Sequence, residues 1–230
     1  FIATVVEIPG RALFQIVNPL VAKALNTNNF TELKMLYKES SLNLLIISGL
    51  FFLLINLNIV PFYELMDNPS YGTAAWVVLM ISLSKLILMS FGCGPAILAT
   101  SKFYKITLPF SIGMAFSVYF LNDYLIDLMG INGAALSTLI VVAIFTFLKI
   151  IYIKSKLNLS PYSSNSVKTL LIIGSLFLIF ENISLPFKGA GLIIINSLIT
   201  VLVYTLAVYY SNLSATLNKF IMKVLTKLRF

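Results

Sequence analysis

Histidine is absent from the 230 residues, and cysteine and tryptophan occur once each. Without histidine there is no imidazole proton relay and no histidine-ligated metal. The single Cys93 permits neither an internal disulfide nor a thiolate cage. Charge is also scarce: 10% of residues are charged, against about 25% in an ordinary soluble domain. Hydrophobic residues make up 59%, and a water-soluble fold of this length could not cover itself with so few charges. The composition therefore defines an integral membrane protein. Also missing are a Ser/His/Asp set, a carboxylate pair at catalytic spacing and a phosphate-cradling glycine loop, so nothing points to an enzyme or to a cofactor. The chain opens on Phe1 inside an apolar run, with no basic signal-peptide region before it. We read it as the C-terminal part of a longer protein.

A hydrocarbon core about 30 Å thick takes about 20 apolar residues per helix. Seven segments qualify: A (1–23), B (41–61), C (72–100), D (105–122), E (131–152), F (168–185) and G (190–211). The fold class they predict is an all-α polytopic membrane bundle. Its first part is 1–152, followed by a loop at 153–167, two additional helices over 168–211 and a tail at 212–230. The connections alternate in charge. Lys23, Lys34 and Lys38 follow A, Lys102 and Lys105 follow C, and Lys149, Lys154, Lys156 and Lys168 surround the E–F connection. Glu64 and Asp67 follow B, Asp123 and Asp127 follow D, and F–G holds only Lys188. Basic loops stay in the cytoplasm, so the C-terminus is expected there, with Lys219, Lys223, Lys227 and Arg229. In "NNFTELKMLYKES", Asn29 and Glu32 form a capping-box pattern, and Leu33, Leu36 and Tyr37 share a face. A short amphipathic cytoplasmic helix is expected near 30–40. The tail aligns Leu213, Leu217, Phe220, Ile221, Val224 and Leu228 opposite its lysines, the pattern of a helix lying in the inner headgroup region. The net charge of +8 thus reflects topology and contact with the phospholipid bilayer, not nucleic-acid binding.

Three charges lie at bilayer depth, where each costs at least about 2.5–3.5 kcal/mol unless it faces a cavity or a partner. In "EIPGRALFQIVNPL", Arg11 stands roughly 18 Å from Lys23 along the helix at 1.5 Å per residue, near the midplane. Glu7 precedes it by one turn on the same face. Lys85 lies mid-way along helix C with no acid within reach on its own helix. It therefore needs water, a carboxylate from another helix, or a substrate. Glu7 and Arg11 can be an ion pair that fixes packing. Alternatively, Arg11 and Lys85 are the cationic wall of a cavity for an anion, with Glu7 as neutraliser or as a carboxylate that exchanges a proton or sodium ion. Pro9 and Pro19 in helix A, and Gly92, Gly94 and Pro95 in "GCGP", break the helices and are candidate hinges. Asn18 and Asn122 suit hydrogen bonds between helices or to sugar hydroxyls. Gly130, Gly133, Ala134 and Ala135 permit close helix contact, and Cys93 suits a small core position.

The stretch from "EIPGRALFQIVNPLVAKALNTNNFTELKMLYKESS", the run "LSKLILMSFGCGPAILATSKFYK" and above all "LNDYLIDLMGINGAALSTLI" resemble the bacterial polysaccharide biosynthesis flippases. That family shares a superfamily with the drug-extruding MATE proteins. The resemblance covers residues 1 to about 155, and the remainder in hydropathy alone. One position departs from the pattern: Asp127 stands where many relatives have proline after Leu-Ile. The resemblance implies two lobes of helices around a central cavity, with A–E forming most of the second lobe and F–G the extra pair. It implies a polyprenyl-pyrophosphate-linked oligosaccharide substrate, moved outward across the bacterial inner membrane by alternating access for O-antigen or capsule assembly. Polysaccharide polymerase or glycosyltransferases would be its partners. Arg11 and Lys85 match cationic positions on cavity-facing helices. Two other readings compete. A cation-coupled multidrug extruder of the same superfamily should favour acidic and aromatic cavities. A non-transporting membrane partner of a polysaccharide synthase has little need of an unpaired midplane lysine.

Overall fold

A computed structural model describes residues 2–66, 74–183, 186 and 189–227. Asp67, the first residues of segment C, the last of F, Lys188, Leu228 and Arg229 lie outside the described residues, as do the side chains of Phe220, Ile221 and Val224. A 3-10 helix, Ile2–Glu7, leads directly into α1 (Ile8–Asn26). Then follow α2 (Phe30–Leu65), α3 (Ala74–Ser90), α4 (Gly94–Thr100), α5 (Thr107–Met129), α6 (Ile131–Leu157), α7 (Ser164–Glu181), α8 (Gly189–Tyr210) and α9 (Ala215–Lys227). No strand occurs among the described residues.

Five of these helices are long and apolar enough to cross a membrane: α2, α5, α6, α7 and α8. The bent pair α3–α4 makes a sixth if it forms one span. The molecule is therefore a multi-pass membrane protein. Its lipid-facing surface is plain on α5, which has no buried residue. Leu108, Phe116, Tyr119 and Phe120 stand more than 60% exposed there, an arrangement that water would penalise and hydrocarbon does not.

The central element is α2, 36 residues long and packed against α1, α3, α7 and α8. The Asn29 side chain accepts from the Glu32 N–H at 3.1 Å and donates to the Glu32 carboxylate at 3.0 Å, starting the helix where the capping pattern expects. The segment at 30–40 is not a separate surface helix. It is the first three turns of α2, and Leu33 and Tyr37 are fully buried against Val21, Phe91, Ile97 and Ile153. An amphipathic face that suits a headgroup region suits a protein core equally, and here α1, α4 and α6 cover it.

A second core joins Val6, Leu45, Phe52, Leu53, Leu86, Ile173 and Tyr204, locking α7 and α8 onto α2 and α3. The Tyr204 hydroxyl donates to the Ile46 carbonyl at 2.7 Å. Helix α5 continues through Asp123 and Asp127 to Met129, two turns beyond the expected end of D. The aspartate at 127 leaves the backbone donor that proline would remove, so the helix runs on. Gly130 alone turns the chain into α6. The small-residue start of α6 meets α5 closely, since a Cβ on Gly133 would collide with the Leu125 carbonyl.

Candidate functional site

Positions 7, 11, 15 and 18 recur at spacings of four, four and three, so they share one face of a helix. The buried residues of α1, Gly10, Val21 and Ala24, flank this stripe on one side. Arg11, Gln15 and Asn18 are exposed, leaving a polar stripe on an otherwise apolar helix. Pro19 adds to it, because it has no N–H for the Gln15 carbonyl one turn back. This polarity keeps α1 below the apolarity of the five spanning helices.

Close packing of the 3-10 helix against α3 brings the Glu7 end of this stripe to α3. Gly10 faces Met89, and a Cβ there would come within 2.6 Å of the Met89 sulfur. Lys85 lies one turn before Met89 on α3, and the approach places its ammonium 2.9 Å from Glu7 Oε2. Arg11 Nη2 lies 3.5 Å from Glu7 Oε1. One carboxylate thus holds two cations, and the group carries one surplus positive charge. Side-chain exposures are 21% for Glu7, 27% for Lys85 and 76% for Arg11, so the lysine pair is half-sheltered and the guanidinium is open. The partner that Lys85 requires comes from another helix, one of the sources its sequence context leaves open.

The structure brings together Glu7, Arg11 and Lys85, with Asn18 two turns further along the same face. Gln15 completes the stripe; its i+4 spacing from Arg11 is the signal that marks it. Asn122 belongs elsewhere. It accepts from the Ser137 hydroxyl and ties α5 to α6, while Ser137 also donates to the Ala134 carbonyl at 3.0 Å. Pro9 sits in the first turn of α1, where the 3-10 helix becomes α-helical. That position tolerates proline without a mid-helix kink, so the expected kink at Pro9 becomes a helix start.

Between α3 and α4 the chain bends by 56°. Gly92 adopts φ +57°, and Gly94 with Pro95 begins α4. Buried serines of α2 bind the broken backbone: the Cys93 N–H donates to Ser40 Oγ at 3.0 Å, and Ser41 Oγ donates to the Ser90 carbonyl at 2.5 Å. Tyr162 OH lies 3.0 Å from Ser90 Oγ, and burial raises the Tyr162 phenol above its ordinary pKa. A Cβ on Gly92 would stand 2.6 Å from the Ser41 backbone nitrogen, so only glycine fits the corner. Cys93 is fully buried beside it.

No group of three or more metal-binding side chains occurs among the described residues. No protein-family model, curated protein or solved structure matches this chain.

Proposed function

We propose that this chain is the second-lobe part of a membrane transporter that flips a polyprenyl-pyrophosphate-linked oligosaccharide outward across the bacterial inner membrane, with its C-terminus in the cytoplasm. The observation that carries the reading is the uncovered stripe of Arg11, Gln15 and Asn18, joined at one end by the half-sheltered Glu7 and Lys85. Spacing and resemblance put α1 across the bilayer as a seventh span. A helix there cannot turn an open guanidinium to hydrocarbon, so the stripe must line a water-filled path or meet another lobe. One surplus positive charge suits a pyrophosphate, while the amides of Gln15 and Asn18 suit sugar hydroxyls.

Glu7 then acts as an internal counter-ion that keeps the cationic pair tolerable when no substrate is bound. Alternating access would open this face to each side of the membrane in turn. The test uses the full-length protein in cells. Arg11→Ala and Lys85→Ala should each abolish surface polysaccharide while membrane expression stays intact. Normal polysaccharide in both variants would overturn the reading.

The 2.9 Å contact of Lys85 with Glu7 favours a second reading, a non-transporting partner of a polysaccharide synthase in which the pair serves packing. In that case Arg11, the open member, would be replaceable without effect. The partial exposure of both paired groups and the excess of cations over carboxylates favour transport.

A further inference from the structure

Two cavities adjoin near the C-terminal end of α7. One, about 170 Å³, lies between α2, α3 and α7; the other, about 360 Å³, lies between α2, α7 and α8. They share Asn56, Val60, Phe177 and Glu181. Trp76 borders the smaller cavity and Asn196 the larger. This region is distinct from the α1–α3 ion cluster, and its use does not depend on the function proposed for that cluster.

The hydrogen-bonding capacity of this lining is lopsided. Asn56 spends its amide hydrogens on the Phe52 carbonyl at 2.8 Å and on Ser82 Oγ at 2.9 Å. Asn196 donates to the Leu57 carbonyl at 3.0 Å. The Asn56 amide oxygen in turn accepts from the Ser82 hydroxyl at 3.3 Å, so the groove is left with the Asn196 amide oxygen, one Asn196 amide hydrogen and the Glu181 carboxylate. Glu181 is exposed and is the last residue of α7, where the helix dipole disfavours an anion. No salt bridge to it occurs among the described residues. A carboxylate so placed, over an apolar groove with an amide oxygen, complements a cation that carries N–H donors and an apolar body.

We propose that this groove binds a phospholipid whose headgroup is a primary ammonium, as in phosphatidylethanolamine. The ammonium docks on Glu181 and the Asn196 amide oxygen. The acyl chains run along Phe177, Val60 and Leu192, with Trp76 beside them. A quaternary headgroup keeps the charge but has no donor to offer. An anionic headgroup is repelled.

Trp76 is the sole tryptophan of these 230 residues and is 60% exposed, so its fluorescence senses bulk lipid as well as the groove, and the difference between headgroups isolates the groove. The full-length protein, with any tryptophan outside these residues replaced by phenylalanine, is reconstituted in vesicles whose bulk lipid is unlabelled phosphatidylcholine, doped with a brominated-chain lipid that quenches tryptophan on contact. The dopant is phosphatidylethanolamine, its N-methylated derivatives, phosphatidylcholine or phosphatidylglycerol. A Trp76→Phe sample supplies the blank. Phosphatidylethanolamine should quench Trp76 at roughly two- to fivefold lower mole fraction than phosphatidylcholine, the size of one solvent-accessible hydrogen bond. The preference should decline stepwise with N-methylation. Glu181→Gln, isosteric and at an exposed helix end, should erase it while leaving α-helical circular dichroism unchanged. Equal quenching by phosphatidylethanolamine and phosphatidylcholine, stronger quenching by phosphatidylglycerol, or an undiminished preference in Glu181→Gln would each overturn the proposal.

Discussion

Asn196 of α8 donates to the Leu57 carbonyl of α2 at 3.0 Å, the carbonyl that Pro61 leaves without its helical partner. Proline lacks the N–H that would close the i to i−4 bond, and a neighbouring helix repairs the gap. An unrepaired buried carbonyl costs about 1–3 kcal/mol. Asn196→Ala should therefore lower stability by about 1–2 kcal/mol in denaturant titrations of the purified protein. In a Pro61→Ala background, where residue 61 regains its N–H, the same substitution should cost much less. Equal losses in both backgrounds would show that Asn196 acts through something other than the proline gap.

Gly10 sits where the 3-10 helix passes into α1 beside α3, and the obstacle to a larger side chain is the flexible end of Met89. Gly10→Ala should be accommodated by a rotamer change in Met89, with little loss of protein yield or stability. Gly10→Val, branched at Cβ, should drive the helices apart and separate Glu7 from Lys85. A cysteine pair introduced at positions 7 and 85 would then crosslink readily in the parent and in Gly10→Ala, and poorly in Gly10→Val. Retained crosslinking in the valine variant would contradict the close-approach account.

Glu7 stands between two cations, so its removal differs from the removal of either partner. Glu7→Gln leaves Arg11 and Lys85 facing each other uncompensated and should reduce the yield of folded protein in the membrane. Arg11→Ala leaves a neutral Glu7–Lys85 pair and should fold as the parent does. The reverse order of yields would show that the cluster is not held by its carboxylate.

At the α3–α4 corner, Gly92→Ala meets two penalties. The left-handed φ costs a residue with a Cβ about 1–2 kcal/mol, and the new methyl collides with the α2 backbone at Ser41. Thermal unfolding in detergent should show a loss larger than the φ penalty alone. Ser41→Ala should lose about 1 kcal/mol, the usual size of one buried hydrogen bond. An unchanged unfolding temperature in Gly92→Ala would mean that the corner opens freely.

Much of this architecture is written in local pattern. The apolar runs mark the spanning helices, Asn29 and Glu32 mark the start of α2, and "GCGP" marks the break before α4. Other features depend on neighbours that sequence spacing does not name. Leu33 and Tyr37 repeat at helical intervals whether lipid headgroups or α1, α4 and α6 cover them, so the continuity of α2 is a tertiary fact. Asp123 and Asp127 carry the charge of a loop, yet without proline nothing ends α5 before Gly130. The spacing of Glu7 and Arg11 foretells their pairing, but the Lys85 contact arises from the packing of the 3-10 helix against α3, which no spacing names. Asn196 and Pro61 stand 135 positions apart, and no periodic signal links them.

The corner at Gly92 also has a mechanical side. Its backbone groups are bonded to α2 serines on one side and to Tyr162 through Ser90 on the other, so the 56° angle behaves as a crank, not a swivel. The throw is α4, roughly 10 Å long at 1.5 Å per residue. A twist of α3 about its own axis is thereby converted into a sideways sweep of α4 and the turn that follows it, while a tilt of α2 carries the whole crank along.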